Sequence, residues 1–241
     1  MRPPALFLPL ALTMLPAATL AGQDELIMLA PTDQSMPISR IQNGVLTGGI
    51  IKDVGDAIAQ RLGRRASYLA TDVPDVMPTL TSGRADAICY VLPFWIDGDY
   101  NWTQPLIPDS ELVAARTDAP RLRSLKDLRD RPVGTVAGYR YPRVQQVLGE
   151  RFRRLDVLNM DLNIERLLAG KTQYTIIGES ALNYLHRTHP ELQLRADLVF
   201  STFKAQCAFS RKSSVPFDRV GKVVDGLIKD GTIDQILARY R

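Results

Sequence analysis

Apolar residues recur along this chain at two alternating periods. Ile50, Ile51, Val54, Ile58 and Leu62 lie three and four positions apart, the spacing of one helix face, and Gly63 stops the pattern. Around this helix, residues 26–30 and 65–70 predict strands, 75–82 a short helix closed by Gly83, and 85–91 a continuous apolar run. Such a run suits a strand of a parallel sheet covered on both faces. The order is β-α-β-α-β within about 65 residues.

The same grammar then repeats. Ser124, with Asp127 three residues on, forms a capping-box pattern, and 132–137 predicts a strand that turns at Gly138 into a helix over 141–152. A weaker strand at 155–159, a helix over 163–169 stopped by Gly170, a strand at 174–177 and a helix over 180–188 ended by Pro190 follow. The last part predicts a strand at 205–210, a helix over 218–229 with Val220, Val223, Val224, Leu227 and Ile228 as its buried stripe, and final turns at 233–240. Two α/β lobes are the economical solution. No low-complexity stretch separates them, so strands rather than a tether are expected to join them.

The N-terminus reads differently. Arg2 precedes an apolar run over 5–15, and Thr19-Leu20-Ala21 places small residues where a signal peptidase cuts, so residues 1–21 are expected to be a secretory signal peptide. The run falls short of the about 20 residues that span a bilayer. No cysteine follows for a lipid anchor, and the expected address is the periplasm. Cleavage leaves 220 of the 241 residues and lowers the formal charge from +4 to +3. The basic clusters Arg61/Arg64/Arg65, Arg121/Arg123/Lys126 and Arg151/Arg153/Arg154 stand beside carboxylates or apolar residues and read as solvated faces. Without an aromatic-interleaved basic stripe, nucleic acid is not an expected partner.

Catalytic patterns fail on specific residues. Gly178-Glu179-Ser180-Ala181-Leu182 has leucine where a nucleophile elbow needs glycine, and Ala169-Gly170-Lys171-Thr172 has Glu165 where a phosphate loop needs its first glycine. His186 and His189 lack further ligands at metal spacing. No catalytic residue, metal or cofactor is expected, which leaves a cleft between lobes as the natural site for a small ligand.

Ordered landmarks carry a resemblance over about residues 25–241. They are Thr32-Asp33, Leu46-Thr47-Gly48, the run from Met77 to Asp86, Trp102-Thr103-Gln104-Pro105-Leu106, Ser124 to Leu128, Val133 to Gly138, Leu167 to Gly170, and Ile228 to Ile233 followed by Ile236-Leu237. Together they resemble the type II periplasmic solute-binding proteins of family 3, which serve polar amino acid ABC importers. The resemblance implies an α/β, two-lobed periplasmic binding protein-like type II fold, with two doubly wound sheets joined by two hinge strands. It implies a first lobe of 24–108 plus 207–241 and a second of 109–206. It further implies a monomer that closes over a ligand and is then met by an inner-membrane permease.

Departures from the family pattern shape the expected site. Members that bind amino acids carry a Thr-x-x-Arg after the third strand, whose arginine grips the α-carboxylate with two prongs; here 91–99 reads Val-Leu-Pro-Phe-Trp-Ile-Asp-Gly-Asp, without arginine. The family's two sandwiching aromatics fall on Met36 and Val73, the second-lobe acid falls on Glu179, and the retained Gly138 is followed by Tyr139-Arg140. With Asp33 after the first strand, the resemblance implies a pocket rebuilt around Tyr90, Phe94, Trp95, Tyr139, Arg140 and Glu179, for a ligand other than a standard L-amino acid. Two alternatives stand beside it: a sensory or accessory role toward a protein partner, and, by analogy with cyclohexadienyl dehydratases on this fold, an enzyme with Glu179 as proton donor. In the family's sheet order Cys89 and Cys207 lie on neighbouring antiparallel strands, within disulfide reach. Two buried free thiols suit the same positions.

Overall fold

The computed structural model describes residues 25–241; the expected signal peptide lies outside them. In chain order the elements are β1 (Glu25–Pro31), the hairpin β2 (Arg40–Gln42) and β3 (Val45–Gly48), α1 (Ile50–Leu62), β4 (Arg65–Thr71), α2 (Val73–Ser82), β5 (Ala87–Val91), β6 (Tyr100–Trp102) and β7 (Ile107–Arg116). The chain continues with β8 (Pro132–Val136), α3 (Pro142–Leu148), β9 (Arg153–Val157), α4 (Met160–Leu168), β10 (Tyr174–Gly178), α5 (Glu179–Thr188), β11 (Leu194–Ser210), α6 (Phe217–Lys229) and α7 (Thr232–Ala238).

Strand order β4-β1-β5-β11-β7-β10-β8-β9 makes one hydrogen-bonded path through two lobes. β4, β1 and β5 run parallel, and the C-terminal end of β11 closes them antiparallel. The N-terminal part of β11 pairs instead with β7, which leads antiparallel to β10 and then to the parallel strands β8 and β9. β11 therefore belongs to both sheets, and β7 runs beside it as the second strand between the lobes. Neither crossing strand is predicted at full length by pattern: β7 is missed, and β11 is expected only over 205–210. Bulges between Ala196 and Leu198 and between Val199 and Ser201 break its alternation, which hides the period of two.

Both lobes bury their sheets on two faces. In the first, Leu26, Met28, Ile58, Phe209 and Val224 form the core beneath α1, α6 and α7, while Leu29, Leu80 and Ile88 pack under α2 on the opposite face. In the second, Val113, Leu128, Val144 and Tyr174 fill one side, and Leu112, Ile164, Leu167 and Leu182 the other. Neighbours such as Leu112 and Val113 point to opposite cores, which is why these strands read as unbroken apolar runs.

Helix starts move for local reasons. α2 opens at Val73 because Pro74 fits its first turn, and α4 opens at Met160 because the Asn159 side chain accepts from Leu162 N at 2.9 Å. α3 stops at Leu148, short of the predicted 152, before a tighter turn over Gly149–Arg151. Cys207 faces Cys89 across β11 and β5, and the two sulfurs are bonded.

Candidate functional site

A cavity of about 200 Å³ lies between the lobes, beside the crossing strands. Tyr90 lines it from β5. Gln206 pairs with Val91 and Cys207 with Cys89, so Tyr90 is the extra residue of a bulge, held at a φ of 64° that a tyrosine rarely adopts. The bulge turns its ring out of the strand's alternation. Its hydroxyl donates to Asp109, which also accepts from the Ser180 hydroxyl and from the N–H groups of Ser110 at 2.8 Å and Ser180 at 3.0 Å. The N-terminal turn of α5, where an anion is favoured, is thus occupied by a side chain of the protein itself. Burial and then the neighbouring Asp109 push the Tyr90 phenol far above its ordinary value, so it remains a donor.

Aromatic rings build both walls. Trp95 stands edge-on to Phe203 with ring centres 5.1 Å apart, and Tyr90 lies 6.2 Å from Phe203. Across the cleft, Tyr139 and Tyr141 sit 6.2 Å apart. Arg154 fixes this second wall: its guanidinium donates to the carbonyls of Val136 at 2.9 Å and Tyr139 at 3.0 Å, and lies 5.1 Å over the Tyr141 ring.

Two carboxylates line the cavity. Asp33 follows β1 and is 3% exposed, and burial is the main reason its carboxyl is raised, partly offset by the Tyr139 hydroxyl. Its Oδ1 has no hydrogen-bond partner, and neither do Tyr139 Oη and Trp95 Nε1. Glu111 comes from β7, where it pairs opposite Gly178 and Ser201. Burial, aided by the negative charge of Asp109 and opposed by a bond from Ser201, raises it to about 7. Arg140 is the one cation lining the cavity among the described residues, and it is held by Asp97 in a two-pronged pair.

Contacts already span the cleft. Asp97 belongs to the first lobe and Arg140 to the second. Met160 N donates to Asp33 O at 2.8 Å. Gly138, at φ 80°, sits so close to Val73 that a Cβ there would lie 2.7 Å from Val73 Cγ1. Only a glycine lets the lobes approach this far.

The structure brings Asp33, Val73, Tyr90, Trp95, Gly138, Tyr139 and Arg140 to one cavity. Met36, Phe94 and Glu179 stand outside it: Met36 is half-buried beside Pro37, Phe94 is 55% exposed, and Glu179 opens α5 beyond Gly178. Sequence reasoning missed Glu111, Phe203 and Tyr141, which also line it. A signal was present for the acid: Asp109 and Glu111 stand two apart, hence on one strand face, at the start of an apolar run. No group of three or more His, Cys, Asp or Glu side chains among the described residues is placed to hold a metal ion.

A two-lobed α/β fold with a cavity between its lobes, beside the crossing strands, is the architecture of a ligand-binding protein. Residues 27–241 match the model of the bacterial extracellular solute-binding proteins, family 3, and the chain belongs to that family, whose members are binding proteins rather than enzymes. "Probable amino-acid-binding protein YxeM" of Bacillus subtilis (strain 168) is 22% identical over 90% of this chain and 84% of its own. An ancestral arginine-binding protein bound to arginine is similar in structure, with a TM-score of 0.76 at 21% identity over 90% of this chain and 98% of that one. The arginine-, lysine-, histidine-binding protein ArtJ from Geobacillus stearothermophilus gives 0.74 at 15% identity over 90% and 94%. Among the described residues no helix is long and apolar enough to cross a membrane.

Proposed function

We propose that this protein is the periplasmic binding component of an ABC importer, closing two lobes over one small polar ligand that is not a standard L-amino acid. The cavity between the lobes, already bridged at Gly138/Val73, Met160/Asp33 and Arg140/Asp97, carries this reading. In this reading the lobes 24–108 plus 207–241 and 109–206 move against each other about β7 and β11, the two strands that pass between them. Closure follows because ligand contacts to both walls exist together only in the closed state. Against an α-amino acid stand the missing arginine over 91–99, the pairing of Arg140 with Asp97, and the filling of the α5 N-terminus by Asp109.

Two measurements test it. A broad thermal-shift screen of the protein should yield at least one stabilising small molecule, worth about 2.7 kcal/mol at a hundred times its dissociation constant. Calorimetry with the twenty L-amino acids should show no submicromolar binder; one such binder removes the ligand assignment and leaves the importer role standing.

A further inference from the structure

Charge, unpartnered atoms and ring placement in the cavity agree on one ligand chemistry. Asp33 and Glu111 line it as acids, while its one lining cation, Arg140, is engaged through both terminal nitrogens by Asp97. A carboxylate entering this space meets two acids and no free positive partner. A cation meets both acids. Asp33 Oδ1 is buried and makes no hydrogen bond, although the Tyr139 hydroxyl stands near enough to act on the carboxyl; an ammonium N–H satisfies that atom directly, and a buried carboxylate without such a partner is costly.

The walls favour the same charge. Trp95, Tyr90 and Phe203 on one side and Tyr139 and Tyr141 on the other present aromatic rings, which attract a desolvated cation to their faces. Trp95 Nε1, a donor without an acceptor, adds a second requirement: the ligand offers a neutral oxygen or nitrogen there. Volume sets the size. An apolar cavity of about 150 Å³ takes benzene, so about 200 Å³ takes a molecule somewhat larger.

We propose that the cavity binds a carboxylate-free organic cation: a small amine or quaternary ammonium compound with an apolar body and one neutral polar atom. This rests on the reading of the cleft as a ligand site. It explains why the pocket keeps an acid beneath aromatic walls while the arginine clamp for a carboxylate is absent. The burial-raised carboxyl of Asp33 returns toward its ordinary range when the ammonium arrives.

Matched probes that differ only in the carboxylate decide the matter. Choline against glycine betaine, tyramine against tyrosine, and agmatine against arginine are titrated into the protein by calorimetry, with Trp95 fluorescence as a second readout. At least one amine is expected to bind at least tenfold more tightly than its carboxylate partner, and Asp33→Asn to weaken that amine by at least tenfold. Glu111→Gln is measured beside it, with the melting temperature of each variant, so that a misfolded variant is not counted. Equal or tighter binding of the carboxylate members overturns the proposal, as does an absence of binding across the whole amine series. The importer reading fails separately, only when the broad screen finds no ligand of any class.

Discussion

The two lobes share one strand-and-helix grammar but are held together by different means. The first is stapled: Cys89–Cys207 joins β5 to β11 and closes a span of 118 residues, over a core in which α1, α6 and α7 cover one sheet face. Among the described residues the second has no covalent link and relies on buried and half-buried polar bonds. Thr175 Oγ1 donates to Asn163 Oδ1 at 2.8 Å, Thr135 Oγ1 to Asp156 at 2.6 Å, and Arg195 to the carbonyls of Arg116 and Ala119 at 2.6 and 2.7 Å. A cross-link acts mainly on the unfolded chain, whereas a buried polar bond specifies one packing and tolerates no missing partner. The stapled lobe thus resists global unfolding, and the bonded lobe holds its wall of the cleft in one shape.

Removing the staple should show the largest effect. Replacing both cysteines by alanine is expected to lower stability by up to about 4.7 kcal/mol, the chain-entropy value for a loop of about 100 residues. Urea unfolding of the double variant measures it, and a loss below that of the next variant erases the contrast. Asn163→Ala strips the partner from the Thr175 hydroxyl and should cost about 1–3 kcal/mol. Hydrogen exchange should place that loss in the second lobe, around β8 and β10.

Glu111 tests the seam between the lobes. Its carboxyl is raised from 4.5 to about 7 in the folded protein, so the folded state holds the proton more tightly than the unfolded one. Its contribution is fully favourable below pH 4.5 and is lost as pH rises through 7. Glu111→Gln is therefore expected to melt higher than the parent at pH 8 and to match it near pH 4.5. At about 1.4 kcal/mol per unit, and discounted for partial exposure, the gain at pH 8 is about 1–2 kcal/mol. A gain of the same size at both pH values removes the titration as its cause.

The smallest effect belongs to the exposed clasp. Asp97→Ala leaves Arg140 without its partner and should leave the melting temperature of the apo protein nearly unchanged, because both side chains are exposed. Small-angle scattering should show a larger open fraction without ligand. A clear loss of apo stability with no change in scattering removes the clasp role.

Legibility followed burial. The helix over Ile50–Leu62 is readable because one face is buried throughout, which leaves a clean period, and the strand over Ala87–Val91 because both of its faces are buried throughout, which leaves an unbroken apolar run. Tyr90, Trp95, Tyr139 and Arg140 are legible because they lie in and around the stretches 91–99 and 138–140, where the chain departs from the family pattern. Glu111 and Phe203 escaped because the crossing strands change environment midway and carry bulges, so neither face keeps one period. Glu179 lies one residue past the lining: the strand-to-helix corner puts Gly178 at the cavity and the next residue in α5, while Asp109, from the unpredicted strand β7, receives the helix start.

The passage of β11 through both sheets has a further consequence, for the order in which the molecule can be made. β7, β8, β9 and β10 follow one another in the chain, with the N-terminal part of β11 close behind, so the strands of the second sheet are made in one stretch. The first lobe starts earlier yet finishes last, because β5 obtains its antiparallel neighbour only when residues 206–209 arrive. Throughout the synthesis of the intervening chain, β5 presents a bare, wholly apolar edge of the kind that invites mispairing. Cys89 waits over the same interval for a partner 118 positions away, so the final strand is at once the seam, the edge cover and the thiol donor that completes the protein.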